Sequence, residues 1–207
     1  GGAGIDTLSY GADMTGVQVR LWSNTVSGGT ATGDVITRFE NVTTGGGNDR
    51  IDGNAGNNVL NGGNGNDTIS GGGGADTLDG GNGGADTLNY GADITGVQVR
   101  LFNNTATGGI ATGDVITRFE NVIGGKAADL IMGNFSINYI EGSEGNDTLT
   151  GGGAGDHFVF RAGADDDRIT DFQVGVDTID LHGFTAGDLT FTAKGTSTLI
   201  TLTPTGD

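Results

Sequence analysis

Residues 62–79 read GGNGNDTIS followed by GGGGADTLD, two consecutive nonamers of the form Gly-Gly-x-Gly-x-Asp-x-U-x, where U is a large aliphatic. Glycines at the first, second and fourth places open backbone conformations closed to residues with a Cβ and let neighbouring loops approach closely. The sixth-place carboxylate adds a charged hard oxygen. The branched residue at the eighth place, Ile69 or Leu78, is expected in a very short strand with its side chain inward. One such side chain contributes about 1.5–3 kcal/mol on burial, while ordering each residue costs about 1–2 kcal/mol, so a single nonamer cannot fold alone. It must stack on copies of itself, which makes the chain a solenoid.

The first nonamer spans residues 1–9, with Asp6 and Leu8 in the motif places. A different block, 10–43, follows. In its GVQVRLW, Val17, Val19 and Leu21 alternate with Gln18, Arg20 and Trp22 as in a half-buried strand, and GDVITRFENV carries Ile36, Phe39 and Val42. Its length suggests two further solenoid turns. Four nonamers then start at Thr44, Gly53, Gly62 and Gly71, with Gly80 read as one extra residue before GNGGADTLN at Gly81. From there the pattern restarts at an offset of 80: YGADMTGVQVRLWSNT at Tyr10 returns as YGADITGVQVRLFNNT at Tyr90. The organisation expected is therefore two duplicated units, 1–80 and 81–160. A C-terminal β cap, 161–207, would contain a hairpin of alternating apolar residues (Leu189, Phe191; Ile200, Leu202) around Gly195.

Successive nonamers should lie on opposite sides of the solenoid, so each loop stacks on the loop two repeats away. This pairs Asp49 with Asp67, Asp67 with Asp86, Asn58 with Asp76, Asp129 with Asp147 and Asn138 with Asp156. Turns sit about 4.8 Å apart, and carboxylates in single file at that spacing repel one another, which favours divalent ions between them. Flexible glycine carbonyls and carboxylates suit calcium better than magnesium, and the near absence of His and Cys disfavours zinc. Several calcium ions are expected. The candidate ligand set is Asp6, Asp49, Asp67, Asp76, Asp86, Asp129, Asp147 and Asp156 with the loop glycines Gly45, Gly47, Gly63, Gly65, Gly72, Gly74, Gly84 and Gly145. Asp13, Asp34, Glu40 and their copies Asp93, Asp114 and Glu120 read as turn or solvent-face residues, and Asp165, Asp166 and Asp167 as a solvated charge run.

Composition agrees. The 207 residues include 44 Gly, one Pro and no Cys, a glycine excess with neither a collagen period nor abundant proline. The net charge of −17 argues against nucleic acid or an anionic membrane as partner and for cations. No apolar run approaches the eighteen or so residues of a membrane span. The sequence opens directly on a repeat and is expected to be joined to an upstream domain of the same polypeptide.

With these motifs, the chain resembles the RTX, or haemolysin-type calcium-binding, family. DRITDFQVGVDTIDL from Asp167 resembles the segment that follows the repeats in serralysin-like proteases. The resemblance implies an all-β fold, a right-handed parallel β-roll with calcium between its loops, carried by bacterial proteins that leave the cell through type I secretion. It implies a secreted module that stays unfolded where calcium is scarce and folds where it is abundant. Asn58, Asn138, Ala127, Ser136 and Ala154 depart from the family pattern.

No HExxH, GxSxG or Cys nucleophile occurs, so the expectation is a calcium-dependent folding and export module rather than an enzyme. The alternative is a polysaccharide-binding or spacer module of an adhesin or polysaccharide-modifying enzyme. In that case Arg20, Arg38, Arg100 and Arg118 would form a ladder beside Trp22 and Phe102 for an acidic polysaccharide.

Overall fold

A computed structural model describes residues 1–161, 165–184, 189–194 and 197–202. The first 80 residues supply β1 (Thr7–Ser9), β2 (Gln18–Arg20), β3 (Thr25–Ser27), β4 (Asn41–Thr43), β5 (Arg50–Asn54), β6 (Val59–Asn61), β7 (Thr68–Gly72) and β8 (Thr77–Asp79). The next 80 give β9 (Thr87–Asn89), β10 (Gln98–Arg100), β11 (Thr105–Thr107), β12 (Val115–Thr117), β13 (Asn121–Ile123), β14 (Leu130–Met132), β15 (Tyr139–Glu141) and β16 (Thr148–Thr150). After these come β17 (His157–Arg161), β18 (Arg168–Ile169), β19 (Thr178–His182), β20 (Leu189–Lys194) and β21 (Ser197–Leu202).

The chain winds as a parallel β-roll. One sheet has the order β1-β4-β6-β8-β12-β11-β10-β14-β16-β18 and the other β19-β17-β15-β13-β9-β7-β5-β2-β3. Consecutive nonamers alternate between the two sheets, as the nine-residue period requires. Each half-turn sends one eighth-place side chain inward, and Ile51, Leu60, Ile69, Leu78, Leu88, Ile131, Ile140, Leu149 and Phe158 form one fully buried column. Val17, Val19 and Leu21 join it from the first block.

Three expectations are corrected. The blocks are not two parallel turns each: β10 pairs antiparallel with β11, and β11 antiparallel with β12, so the whole excursion stays within one sheet. On the opposite sheet β9 pairs directly with β13. The reversal is made at Asn104, and at its copy Asn24 between β2 and β3, both left-handed (φ 57° and 53°) after a single 3₁₀ turn. Asn tolerates that conformation better than most residues with a Cβ.

Next, the extra residue before β9 is Gly83, not Gly80. Asn64 bridges Asn82 at a spacing of 18, whereas Thr68 pairs with Thr87 at 19, so the insertion falls between these pairs. A Cβ on Gly83 would meet nothing, as expected of a bulged residue, whereas one on Gly80 would collide with Arg118 and Asp86, so Gly80 fills a first place.

Lastly, roll pairing continues past residue 160. β18 and β19 pair parallel with β16 and β17, adding another strand to each sheet. β20 and β21 pair as an antiparallel hairpin, with Leu189 opposite Leu202; Gly195 lies outside the described residues.

Candidate metal centre

Sixth-place residues lie where each strand begins, so the strand register brings them into file along the two edges of the roll. The Asp49 N–H donates to Asp67 Oδ1 (2.8 Å), and the Asp67 N–H to Asp86 Oδ1 (2.8 Å). Asn58 donates to Asp76, Asp129 to Asp147 and Asn138 to Asp156 in the same way, at 2.8–2.9 Å. All five sequence-derived pairs are thus in contact. The contact is a backbone N–H on a carboxylate oxygen, and these residues point inward: Asp67, Asp76 and Asp147 are 1 % exposed.

That geometry satisfies one oxygen of each carboxylate. The Oδ2 atoms of Asp49, Asp67, Asp76 and Asp147 are buried with no hydrogen-bond partner among the described residues. Such an atom carries a desolvation cost with nothing to offset it. Burial pushes the Asp67 and Asp147 carboxyls up to about 7, despite the N–H bonds each accepts and with neighbouring carboxylates adding to the rise. Burial likewise raises Asp76 and Asp86 to about 6, and raises Asp49, Asp129 and Asp156. The file is a row of buried anions short of positive charge.

The loop glycines stack with it. Gly63 lies against the carbonyl of Gly45, Gly65 against Gly47, Gly84 against Gly65, Gly72 against Asn54, Gly74 against Gly56 and Gly145 against Ala127. At Gly65 (φ +124°) a Cβ would overlap the Gly47 carbonyl oxygen, so both the dihedral and the approach require glycine. Ala154 adopts a positive φ of 73° despite its Cβ, and the loop still keeps Asp156 buried. The Gly45 and Gly63 carbonyls accept N–H bonds from Asn64 and Asn82, whereas the fourth-place carbonyls of Gly47 and Gly65 accept none among the described residues. A second ladder runs beside the first: Asn48 Oδ1 accepts from the Asn66 N–H and Asn66 Oδ1 from the Ala85 N–H.

Among the described residues no three carboxylates or imidazoles converge in one cluster. The acids come one per turn, so a cation here would take most of its oxygens from carbonyls. The orphaned carboxylate oxygens, which face the first-place glycines of their own loops at Asp67, Asp76 and Asp147, and the unbonded carbonyls of Gly47 and Gly65 are hard donors in a flexible frame, a chemistry that fits calcium.

Sequence reasoning missed several members of the files. Glu40 and Glu120 are not turn residues: their Oε2 atoms accept the Asp6 and Asp86 N–H groups (2.8 and 2.9 Å). Asp114 is 8 % exposed; its Oδ1 takes the Asp76 N–H and its Oδ2 the Tyr90 hydroxyl (2.9 and 2.8 Å). Within the supposed charge run, Asp167 accepts from the Asp147 N–H and Asp165 from the Gly145 N–H. Asp177, not singled out from the sequence, accepts the Asp156 N–H (3.0 Å). The signal available was position, because each of Asp114, Asp167 and Asp177 stands directly before a strand. Asp13 and Asp93 are buried knots inside the blocks: Asp13 takes N–H bonds from Thr30 and Thr15, which hold its carboxyl well below the usual range.

Asn58 and Asn138 do not have an orphaned oxygen. Each Oδ1 accepts the second-place N–H of its own loop, from Asn54 or Asn134, and each Nδ2 donates to the carbonyl of Glu40 or Glu120 (2.7 Å). Asp6, at the end of the file, is partly exposed, and its Oδ2 accepts the Gly2 N–H.

The arginines form no ladder. Arg20 lies on the sheet that ends at β3 and Arg100 on the other. Arg20 pairs with Asp52 (3.3 Å), and Arg118 forks onto Asp79.

Comparison with known families agrees with this geometry. Residues 43–78 match the RTX calcium-binding nonapeptide repeat (4 copies), and residues 72–199 match the peptidase M10 serralysin C-terminal domain. The second match spans more than half of the chain. The chain belongs to the serralysin C-terminal family. As a member of that family it is a calcium-binding module built on RTX repeats, of a type typical of proteins exported by type I secretion. The match is to the C-terminal domain of that family and not to a peptidase domain. No curated protein matches the chain. Among the described residues no helix is long and apolar enough to cross a membrane.

Proposed function

We propose that this serralysin-type module folds on binding calcium outside the cell and, once folded, supports the export and stability of a larger secreted protein to which it is joined, without catalysing a reaction itself. The observation that carries the reading is the row of orphaned, buried Oδ2 atoms at Asp49, Asp67, Asp76 and Asp147. A cation beside them supplies the missing partner, and without one the ionised file repels itself. Asp86, Asp129 and Asp156 extend the ligand set, with Gly45, Gly47, Gly63, Gly65, Gly72, Gly74, Gly84 and Gly145 contributing loop carbonyls; Asp6 ends it. The self-satisfied amides of Asn58 and Asn138 support ion-free half-turns at those two places, so that each file is divided into segments.

Circular dichroism in EDTA and then in calcium tests the reading. The strand signal should be absent at pH 7.5 in chelator and return with calcium; a folded spectrum unchanged by chelation sinks it. Asn58→Asp should raise the ion count measured by native mass spectrometry. The polysaccharide-binding alternative loses support, because Arg20 and Arg118 are held by carboxylates and the duplicated Arg20 and Arg100 face different ways.

A further inference from the structure

Asparagine followed by glycine readily loses its side-chain amide, because the next backbone nitrogen can attack the side-chain carbonyl and glycine has no Cβ to hinder the approach. The chain holds three such pairs, Asn61-Gly62, Asn64-Gly65 and Asn82-Gly83. Closing the five-membered ring turns the peptide between the two residues. It therefore requires a glycine that is free to move and a nitrogen that is not already donating.

The roll meets that requirement once. Gly62 donates its N–H to the Asp79 carbonyl (3.0 Å), a Cβ on it would collide with Asp67 and the Gly80 carbonyl, and the Asn61 Nδ2 is itself held by Asp79 Oδ2 (3.2 Å). Asn64 is bridged on both sides, by Gly46 and by Asn82, and a Cβ on Gly65 would overlap the Gly47 carbonyl oxygen. Asn82 is bridged only to Asn64, and both it and Gly83 are exposed. Gly81 stacks on Gly63 and Gly84 on Gly65, but the inserted Gly83 stacks on nothing, and its N–H has no acceptor among the described residues. The Asn82 side chain is also prepared for attack. Arg118 Nη1 donates to Asn82 Oδ1 (3.3 Å) while the rest of the guanidinium is held on Asp79. A fixed positive charge thus rests on the oxygen that turns negative as the nitrogen adds.

We propose that Asn82-Gly83 is a self-modification site of the folded roll, deamidating through a succinimide with Arg118 polarising the reacting carbonyl. The Gly83 nitrogen adds to Asn82 Cγ and gives up its proton, the Cγ–Nδ2 bond breaks, and the amide leaves as ammonia. One water then opens the succinimide at either carbonyl, leaving aspartate or isoaspartate at position 82. Isoaspartate lengthens the main chain by one carbon, which a bulge absorbs and a stacked glycine would not. The new carboxylate adds one negative charge to the loop that precedes Asp86. The inference rests on which backbone groups the roll pins, and not on which loops hold ions.

To test it, the chain is aged at pH 7.5 in saturating calcium, and electron-transfer fragmentation in a mass spectrometer assigns the mass gain to Asn61, Asn64 or Asn82 and separates aspartate from isoaspartate. In the folded chain Asn82 should deamidate at least about tenfold faster than either of the others, since only they must wait for local opening. In concentrated urea, where nothing is pinned, the three rates should come within about threefold of one another. Arg118→Ala, folded, should slow Asn82 by about threefold or more and leave Asn61 and Asn64 unchanged. Asn82 no faster than the other two in the folded chain overturns the proposal, as does the same ordering in urea, which would make neighbouring residues and not the bulge the cause. An unchanged rate in folded Arg118→Ala overturns the part given to Arg118. A chain that gives the folded ordering in chelator as well as in calcium would support this site and speak instead against the calcium-folding reading.

Discussion

The Tyr10 and Tyr90 blocks are near copies in sequence, yet one ends the roll and the other lies in its middle. Tyr90 is fully buried and bonds an Asp114 that also receives a neighbour's N–H; Tyr10 bonds an Asp34 exposed on its far side. Burial, with Asp114 beside it, pushes the Tyr90 hydroxyl far above its ordinary range, whereas Tyr10 rises only to about 12, again chiefly through burial. The difference teaches that these residues acquire their environment from the next turn, not from their own loop. A strand such as β12 exists because its neighbour does, as expected of a fold whose stability is a sum over adjacent repeats.

The largest expected difference between middle and end is ionic. In chelator, Asp67 and Asp147 titrate near 7 in the folded roll, and Asp76, Asp86 and Asp167 near 6, chiefly because burial raises them. An unfolded carboxyl titrates near 3.9. Between about pH 4 and 7 the folded state then holds more protons than the unfolded one, so ion-free stability should fall as pH rises through that window. Calcium competes with those protons. Calorimetric titration should give binding at least about tenfold weaker at pH 5 than at pH 7.5, with proton release; equal affinity at both would mean the buried file takes no part.

Next in size, Asp114→Ala strands both the Asp76 N–H and the Tyr90 hydroxyl inside the roll and should cost about 3 kcal/mol in urea melts with calcium. Asp34→Ala should cost less than about 1 kcal/mol. Equal losses would erase the contrast between the copies. Smallest, Arg118→Ala removes a half-exposed fork on Asp79 and should cost about 0.5 kcal/mol, whereas Arg38→Ala, which has no ion pair among the described residues, should cost almost nothing.

Period made much of this legible. Because nine residues return the chain to the opposite side, the contacts of Asp49 with Asp67 and of Asn138 with Asp156 follow from counting alone. The blocks were not legible in the same way. Alternation at Val17, Val19 and Leu21 marks a strand but does not say which way the next one runs; the left-handed Asn24 and Asn104 decide that, in a stretch where polar residues are common. Gly83 could not be told from Gly80 as the inserted residue, because only the neighbouring turn distinguishes a glycine that stacks from one that bulges. The buried aspartates of the blocks were hidden for a related reason: nothing local separates Asp114, which faces a turn formed by β8, from a carboxylate in water.

Each 80-residue unit crosses the roll an odd number of times, since β1, β2, β4, β5, β6, β7 and β8 alternate between sheets and β9 begins opposite β1. Copying the unit therefore turns the molecule's back on its own decoration. A surface trait fixed in one unit reappears on the other flank in the next, and only duplication in pairs would concentrate it on a single flank, while the inward column of aliphatics grows longer whichever flank is used.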